Sequence, residues 1–535
     1  MLARPVAKLE MRVVQLARSN GLRVIGPNAF GVANMADDAS LAALFIPVGI
    51  QPGVLGLASQ SGPLGGGVLN LLYTSGIGVS SFLGLGNQAD VGPADVLQYW
   101  GSDDATKVIA LYLDDVGDAR SVAAEARVVS ATKPILWVRP ESDDLAEVLA
   151  QAGVILVDRV SELAEIARLV VDQPVPAGKR VAVISNASSV ARLAVAACRR
   201  AGLDVVVPSS AASGDANAVI VNDFESVALH HRADLATFER VAITTAVSDE
   251  VDAIVVALSP TLDSPYDELS VVLGRIDRAV AKPLVAVSLA GDDQLAADGV
   301  PIYAFPEEAA NALGRYAEYG YWRRTHSQPP FWPHADEIET FRAAVGAVGD
   351  GATLTMLDPE LRHLLDVFGI DLAPYGVVGS HFEARQRAGV IGYPVVVKAG
   401  GVAARRPGEE GGVALDLGSE GALIDALRRM EARFGDALYP VIVQKMARPG
   451  VALRIELEQR PATGSIVSVS LGGSAAELSD RRLCRALPAS VENLQSLVDD
   501  PWLHDLLDGP GVAAAFVDVA QALVRVGEAT SISAA

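Results

Sequence analysis

Apolar and polar positions along the first 350 residues alternate between two kinds of segment. Short runs rich in β-branched residues, each of strand length, are separated by longer segments with helical periodicity. The first set of runs is residues 54–59, 79–85, 107–116, 134–139 and 154–158, and the second set is residues 180–185, 204–208, 252–258, 283–290 and 301–305. Because helical crossovers cover both faces of parallel sheets, this alternation predicts two successive doubly wound parallel α/β domains.

The pattern changes after residues 326–337 (HSQPPFWPHADE), a stretch that contains proline and aromatic residues. From about residue 351 the order becomes helix, strand, glycine-rich turn, long helix and strand, which indicates an α+β domain. A chain of 535 residues is long enough for several such domains. The boundaries that we expect are 1–35, 36–172, 173–325, a linker at 326–350, and 351–535.

Charge and cysteine content narrow the classes of function. The chain has 43 Lys and Arg residues against 65 Asp and Glu residues, a net charge of -22, which repels nucleic acids and anionic membrane surfaces. Its apolar runs are of strand length, too short for a membrane span. Cys198 and Cys484 are too few for a disulfide framework or a cysteine metal site. We therefore expect a cytoplasmic protein without nucleic acid or membrane partners, and no protein-bound metal site.

Two glycine- or serine-rich turns join a predicted strand to a predicted helix. Residues 59–67 (SQSGPLGGG) place backbone N–H groups at a helix N-terminus, which suits a phosphate or carboxylate. The alternative is a tight turn in which serine caps the helix. Residues 186–194 (NASSVARLA) have the same placement without the glycines, and there we expect capping.

The third region combines a lysine with glycine-rich turns. Lys398 stands at the end of a predicted strand in YPVVVKAGG (393–401), and residues 409–415 and 470–482 supply further turns. Several folds hold nucleotide phosphates with a strand lysine beside glycine turns, whereas a solvated lysine is the alternative. The spacing leaves both interpretations open.

Taken in order, these motifs resemble the NDP-forming (ADP-forming) acyl-CoA synthetases, relatives of succinyl-CoA synthetase. The motifs that carry the resemblance are IGPNAFGVAN (25–34), SQSGPLGG (59–66), FLGLGNQADVGPADVLQYW (82–100), KVIALYLDDVGDARS (107–121), LLDVFGIDLAPY (364–375), GYPVVVKAG (392–400), GGVAL (411–415), VIVQKM (441–446) and SLGG (470–473). The resemblance implies two flavodoxin-like domains followed by an α+β ATP-grasp domain. It also implies that residues 1–35 are the last helix and strand of a CoA-binding Rossmann domain.

A narrower resemblance concerns residues 451–459 (VALRIELEQ) and 477–488 (ELSDRRLCRALP). Both segments resemble the actinobacterial branch in which this body is fused to a GNAT lysine acetyltransferase. This likeness implies a GNAT domain, or a CoA-binding domain supplied by another chain, as a partner. A homo-oligomer is also expected.

The family passes a phosphoryl group from acyl phosphate to ADP through a histidine, because imidazole is nucleophilic at neutral pH. In the family that histidine follows the strand matched here by residues 134–139, but this chain has ESDDLAEVL (141–149) instead. A second family histidine falls on Arg406, and a glutamate falls on Ala452. The Rossmann glycine turn and the final Asp-x-Asn-Pro segment are not matched, so we expect a chain shortened at both ends.

The resemblance also implies the ligands and the residues that face them. The ligands are ATP or ADP with Mg²⁺, and CoA or an acyl-CoA. Phosphate or CoA would be bound by Asn28, Ser59, Ser61, Gly62 and Asn87, and the nucleotide by Lys398, Gly411, Gly412, Gln444, Met446 and Glu477. No catalytic residue is assigned, since none of the seven histidines clearly replaces the carrier. His230 and His231 are better explained as a solvated helix start.

Three interpretations of function remain open, and the first is favoured. The chain is a regulatory body that binds acyl-CoA and nucleotide for an acetyltransferase, or an active ligase that converts acyl-CoA, ADP and phosphate to acid, CoA and ATP, or a gene fragment.

Overall fold

The computed structural model describes residues 4–36, 40–139, 144–212, 219–221, 226–229, 234–259, 266–289, 299–325, 331–348, 357–400, 412–460, 463–479, 481–507 and 510–534. The chain divides into two compact units. The first comprises residues 1–328 with 461–464, and the second comprises residues 329–460 with 465–535. Among the helices that are described, none has the length and apolar character needed to cross a lipid bilayer.

The first unit begins with a seven-stranded sheet. Its strands are β1 (Gly31–Asn34), β2 (Leu41–Leu44), β3 (Pro52–Ser59), β4 (Val79–Gly84), β5 (Val108–Tyr112), β6 (Ile135–Val138) and β7 (Ile155–Val157). The accompanying helices are α1 (Arg4–Ser19), α2 (Gly62–Thr74), α3 (Pro93–Ser102), α4 (Ala119–Ser130), α5 (Asp144–Gln151) and α6 (Val160–Asp172). Parallel strands in the order β4-β3-β5-β6-β7 give the flavodoxin-like arrangement, and β1 and β2 extend it in antiparallel fashion.

The central strands of this sheet are buried on both faces, which explains their continuous apolar sequence. Leu55 and Leu57 contact one core cluster, and Trp137 lies in the cluster on the opposite face with Trp100 of α3. Both tryptophan side chains are fully buried.

A second sheet completes the first unit. Its strands are β8 (Arg180–Ser185), β9 (Asp204–Val205), β10 (Val219–Val221), β11 (Val227–Leu229), β12 (Ala253–Leu258), β13 (Leu284–Ser288) and β14 (Ile302–Tyr303). Its helices are α7 (Ser188–Arg200), α8 (Ser209–Ala212), α9 (Leu235–Ala246), α10 (Tyr266–Ala279) and α11 (Pro306–Thr325). The parallel order β9-β8-β12-β13-β14 repeats the flavodoxin-like arrangement.

Helix α11 connects the two flavodoxin-like domains. Tyr316, Tyr319 and Trp322 stack along it. Their polar atoms donate hydrogen bonds to the backbone carbonyls of Gln173, Ser130 and Gln151, at 3.1, 2.7 and 3.0 Å. The two sheets therefore share one continuous core cluster.

The second unit contains two antiparallel sheets. The first, in the order β15-β18-β16-β17, and the second, in the order β19-β20-β21, are formed by β15 (Tyr375–Val378), β16 (Val395–Ala399), β17 (Val413–Leu417), β18 (Val441–Lys445), β19 (Leu453–Arg460), β20 (Gly464–Leu471) and β21 (Arg482–Ala486). The helices are α12 (Ala335–Val348), α13 (Pro359–Val367), α14 (His381–Ile391), α15 (Glu420–Phe434), α16 (Val491–Val498), α17 (Pro501–Leu506) and α18 (Pro510–Ala534). This order agrees with the predicted α+β domain.

The start of the chain differs from the prediction. The strand expected within residues 22–28 is absent, and β1 follows instead and pairs with β4 of the first sheet. The physical reason lies in the backbone, since Gly26 and Asn28 have φ values of 106° and 60°, outside the extended region, and Pro27 has no N–H group to donate. The buried carboxylate of Asp90 accepts the Val24 amide at 2.7 Å. Residues 31–34 are thus part of the first flavodoxin-like sheet.

Asp90 also binds the end of helix α1, and its replacement should loosen this segment. Arg18 and Arg23 donate to its carboxylate from Nε at 2.7 and 3.1 Å. Burial alone raises the pKa of Asp90, but the Val24 amide and the two guanidinium groups outweigh it and hold the pKa at about 2. Asp90→Asn should lower the free energy of unfolding by about 1–3 kcal/mol at pH 7, because hydrogen bonds to a charged group are lost.

Urea unfolding of both proteins across pH tests this expectation. A lowered folded-state pKa gives stability that is present above the ordinary aspartate pKa and is lost as the pH falls through about 2. The difference between Asp90→Asn and the unsubstituted chain should therefore shrink below about pH 4. Asp95→Asn is the control, since Asp95 is more exposed than Asp90 and binds Arg23 but not Arg18. An equal loss in both variants would contradict the anchoring role of Asp90.

Candidate functional site

The phosphate turn, as we call the turn at residues 59–67 that the sequence predicts to suit a phosphate, lies at the carboxyl edge of the first sheet. Ser59, the last residue of β3, pairs with Gly84 of β4 and Tyr112 of β5. Strand β4 lies on one side of β3, and β5, the next strand in the sequence, lies on the other side. The turn after β3 is therefore at the topological switch point of the sheet. In open α/β sheets, ligands bind in the crevice at this point.

The turn is held closed by its own hydrogen bonds. Ser59 Oγ, which is buried, donates to the Ser61 carbonyl at 2.7 Å. Ser61 is the N-cap of α2, and its Oγ accepts the Leu64 amide at 3.4 Å. The predicted serine capping is confirmed. Pro63 has no N–H group to donate. In the first turn of α2 the Gly62 amide therefore remains as a donor without a partner among the described residues.

Gln60 connects the turn to the loop after β5, a contact that the sequence interpretation missed. Its Oε1 accepts the amides of Asp114 and Asp115, each at 2.9 Å. The Asp115 side chain in turn accepts the Gly117 amide at 2.9 Å and so caps the following turn. Two loops at the switch point are therefore fixed to each other by one amide side chain.

Asn28 and Asn87 lie on the same edge. The Asn87 amide donates to the Pro27 carbonyl at 2.8 Å, and Asn28 has the left-handed φ of 60°. The Leu85 amide donates to the Ser59 carbonyl at 2.8 Å, which joins this loop to the phosphate turn. The Asn87 side chain donates to Glu10 Oε1 at 3.0 Å. The structure thus brings the Asn28 and Asn87 loops together with the turn at residues 59–62.

The second flavodoxin-like domain repeats the bridge across its own switch point. Asn186 follows β8, and its side chain both donates to the Ser259 carbonyl at 2.7 Å and accepts the Ser259 amide at 2.9 Å. The capping predicted for residues 186–194 is wrong, because the N-cap of α7 is Ala187, whose side chain cannot accept a hydrogen bond. An amide residue directly after β3 and directly after β8 was the sequence signal for the two bridges.

The second unit places Lys398 beside Gln444. Lys398 Nζ donates to Gln444 Oε1 at 2.8 Å from the neighbouring strand, and Gln444 Nε2 donates to the Ala373 carbonyl at 3.4 Å. Lys398 is half-buried, and desolvation lowers the pKa of its ammonium group. A desolvated cation gains from any anion that reaches it.

The other predicted nucleotide residues are placed unevenly. The Met446 amide donates to the Pro394 carbonyl at 3.1 Å, and the Gly412 carbonyl accepts the Ala399 amide at 2.8 Å, so both lie beside strand β16. Glu477 lies on a short 3₁₀ turn, Gly473–Leu478, but its side chain falls outside the described part. Gly411, Arg406, His230 and His231 also lie outside the described residues.

The segment that replaces the family's histidine loop is short. Strand β6 ends at Val138 and α5 begins at Asp144, and the sequence from Pro134 to Asp158 contains no histidine. Residues 140–143 lie outside the described ranges. Within those ranges, no group of three or more His, Cys, Asp or Glu side chains is placed to hold a metal ion.

Comparisons with known proteins agree with this geometry. Residues 52–146 match the succinyl-CoA ligase like flavodoxin domain, and residues 349–531 match an ATP-grasp domain. The 4-hydroxybutyrate–CoA ligase (ADP-forming) of Nitrosopumilus maritimus is 25% identical over 94% of this chain and 77% of its own length. The acetate–CoA ligase (ADP-forming) I of Archaeoglobus fulgidus is 26% identical over 98% of this chain and 80% of its own length.

Solved structures show the same fold. A crystal structure of a Pyrococcus horikoshii protein has a TM-score of 0.55 at 26% identity, and covers 60% of this chain and 76% of its own. The apo form of a dinucleotide-forming acetyl-coenzyme A synthetase 1 from Ca. Korarchaeum cryptofilum also has a TM-score of 0.55, at 23% identity, and covers 59% of this chain and 75% of its own. This chain thus combines a flavodoxin-like CoA-ligase domain with a following ATP-grasp domain, and it is similar to ADP-forming acyl-CoA synthetases over nearly its whole length.

Proposed function

We propose that this chain binds an acyl-CoA and an adenine nucleotide without relaying a phosphoryl group between them, and that it acts as a regulatory body. The observation that carries the proposal is that no histidine occurs from residue 134 to residue 158, the stretch of sequence that contains β6 and α5. The ligand-facing turn at residues 59–62 and the Lys398–Gln444 pair are both present. Binding elements are therefore retained where the carrier of the phosphoryl group is lost.

The first turn of α2 gives further support. A helix start that holds a transferring phosphoryl group uses several free amides at once. Here Pro63 removes one donor and Ser61 Oγ occupies the Leu64 amide, which leaves the Gly62 amide. In addition, the family's second histidine is Arg406 in this sequence, and arginine stays protonated and cannot carry a phosphoryl group.

Activity as an ADP-forming ligase is the second candidate. The names of the two relatives described above favour it, because the similarity to these ligases runs over nearly the whole of this chain. It requires a nucleophile other than the missing histidine. Acyl-CoA, ADP and phosphate would be its substrates.

The proposed target of regulation is a GNAT lysine acetyltransferase. Its support is the resemblance of residues 451–459 and 477–488 to the branch that carries such a domain. A purified GNAT acetyltransferase from the same genome should change its rate of lysine acetylation when this chain and ATP are added. An unchanged rate would remove the acetyltransferase from the proposal.

Calorimetry combined with a turnover assay separates the two candidates. The purified chain should bind acetyl-CoA and, separately, ATP with Mg²⁺. It should form no ATP from acetyl-CoA, ADP and phosphate, and should take up no label when ADP is replaced by γ-³²P-labelled ATP. ATP formation would overturn the regulatory proposal in favour of the ligase, and absence of binding to both ligands would overturn both candidates.

A further inference from the structure

An apolar cavity of about 310 Å³ lies in the first unit, against strands β1 and β4 and helix α3. Val32 and Leu83 are direct partners on neighbouring strands, so both side chains point into the cavity from the same face of the sheet. Ile25, Val91 and Val96 complete the apolar walls. The adjoining edge strand β2 is largely exposed, so the cavity has an open side.

Two hydrogen-bond donors lie next to each other in this apolar wall. Asn34 and Ser81 are also direct partners across β1 and β4, and both line the cavity. Asn34 Oδ1 accepts the Ala36 amide at 3.0 Å, and Ser81 Oγ accepts Trp100 Nε1 at 2.8 Å. The Asn34 amide hydrogens and the Ser81 hydroxyl hydrogen have no acceptor in the described part of the chain. Ser81 is buried and Asn34 is half-buried, so a ligand that brings an oxygen acceptor gains hydrogen bonds that the described protein groups do not supply here.

The charge at the mouth of the cavity indicates that the oxygen acceptor of the ligand is an uncharged group. Asp95 lines the cavity, and its two oxygens accept Arg23 Nη2 and the Gly92 amide, each at 3.0 Å. Among the described residues that line the cavity Asp95 is the charged one, so the lining offers no cation to an anionic ligand. A keto or hydroxyl oxygen on an apolar body meets these conditions.

The cavity also adjoins the residues expected on the acyl-CoA side. The chain around Ile25 pairs with the chain around Val91 through hydrogen bonds from Val91 to Val24, from Ala89 to Gly26 and from Asn87 to Pro27. Asn28 and Asn87 stand at one end of this ladder, and Ile25 and Val91 face the cavity at the other. Residues 25 and 28 are three positions apart and so lie at most roughly 10 Å from each other, a distance that a thioester arm and its acyl chain can cross.

We propose that this cavity holds the acyl group of the bound acyl-CoA, and that it selects an apolar chain of about six carbons carrying an uncharged oxygen near its far end. The inference rests on the proposed function and names the class of its ligand. Since a water molecule occupies roughly 30 Å³, the cavity has room for about ten groups of that size. A hexanoyl chain would fill much of this space, whereas an acetyl group would leave most of it empty.

Calorimetry of the full chain with acetyl-CoA, hexanoyl-CoA and 5-oxohexanoyl-CoA tests the proposal. Each buried methylene contributes roughly fourfold in affinity, so hexanoyl-CoA should bind at least about 10-fold more tightly than acetyl-CoA. The added keto group should improve binding a further ~3- to 10-fold. Equal affinities for acetyl-CoA and hexanoyl-CoA would overturn the proposal.

Two variants locate the effect. Val32→Phe should fill the cavity and remove the preference for hexanoyl-CoA over acetyl-CoA. Asn34→Asp keeps an oxygen that can accept the Ala36 amide and removes one of the two donors, so it should reduce the gain from the keto group and leave the preference for hexanoyl-CoA over acetyl-CoA unchanged. The matched control Asn70→Asp, at an exposed position on α2, should leave all three affinities unchanged. Retention of both preferences in Val32→Phe, with thermal unfolding at the ordinary temperature, would place the acyl group elsewhere.

Failure of the proposed function gives a different result from failure of this inference. If the chain binds no CoA ester, the proposed function is wrong, and the cavity is then probed with S-(5-oxohexanoyl)-N-acetylcysteamine by saturation-transfer NMR. A signal that is lost in Val32→Phe supports the acyl pocket. No signal, or the same signal in both proteins, contradicts it.

Discussion

Replacing Lys398 by alanine should weaken the binding of ATP with Mg²⁺ by about 10- to 100-fold, because a hydrogen bond between an ammonium group and a phosphate is lost. Lys398 is half-buried, and its Nζ donates to Gln444 Oε1 at 2.8 Å. Burial has already removed part of the solvent around its ammonium group, so an anion that reaches the group stabilises its charge at little further desolvation cost. Calorimetric titration of both proteins with ATP measures the change.

Lys445 on the adjacent strand is the matched control. Its Nζ donates to the carbonyls of Gly392 and Tyr393, at 2.8 and 3.0 Å, so its charge stabilises the chain rather than facing a ligand. Lys445→Ala should therefore lower stability and leave the ATP affinity of the folded protein unchanged. If both variants lose affinity equally, Lys398 has no particular role in the nucleotide site.

The pH dependence of ATP binding should carry the signature of Lys398. Burial lowers the pKa of its ammonium group, so the folded chain releases this proton at lower pH than the unfolded chain does. Stability linked to Lys398 therefore rises with pH between the two pKa values, while ATP affinity falls as the ammonium group is lost. A bound phosphate restores the pKa, so binding at alkaline pH should take up a proton.

Titrations in buffers of different ionisation enthalpy measure that proton uptake directly. The uptake should be present in the unsubstituted chain and absent from Lys398→Ala. Identical proton uptake in both proteins would assign the effect to another group and contradict the placement of Lys398 against phosphate.

The elements predicted well from sequence are those with a single physical requirement. Strands β3, β8 and β12 are buried on both faces of parallel sheets, and such strands appear as continuous apolar runs with sharp ends. Helices between them follow from periodicity. The central strands and the order of domains could therefore be predicted from residue pattern alone.

The antiparallel additions could not be predicted in the same way. Strand β2 is exposed along most of its length and has no alternation of apolar and polar residues, so its sequence does not distinguish a strand from a loop. Val24, in the segment where a strand was expected, binds Asp90, which lies 66 residues away in the sequence. Tertiary contacts of this kind leave no local signal.

The residues of the candidate site differ in the same way, because some have a local sequence signal and others do not. The turn at residues 59–62 and Lys398 could be found because glycine turns and strand lysines have local signatures. Gln60 and Asn186 were missed as bridging residues, since their partners lie 54 and 73 residues away on the loop after another strand. Only when the parallel strand order is known can the Gln60 and Asn186 side chains be expected to bridge two loops at a switch point.

Substituting Gly62 by alanine should destabilise the first unit by about 1–3 kcal/mol, because an added Cβ would overlap the aromatic ring of Phe30. The Cε2 atom of Phe30 would lie 2.7 Å from that Cβ, and two other ring atoms would be closer still. Gly62 is the first residue of α2, and Phe30 precedes strand β1. This single contact joins the helix start of the phosphate turn to the segment that carries Asn28.

Gly67→Ala, in the same helix, is the matched control and should have the opposite sign. No atom lies within 4 Å of a Cβ at Gly67, so alanine should stabilise the helix by up to ~1 kcal/mol through its better helix propensity. Urea unfolding measures both changes on the same scale. In Phe30→Leu the smaller side chain should recover part of the loss caused by Gly62→Ala, and a double-mutant cycle gives that coupling. If both alanine variants stabilise the chain, or if the cycle shows no coupling, the helix start is not held by Phe30, and residues 28–30 and 59–62 do not form one ligand-facing edge.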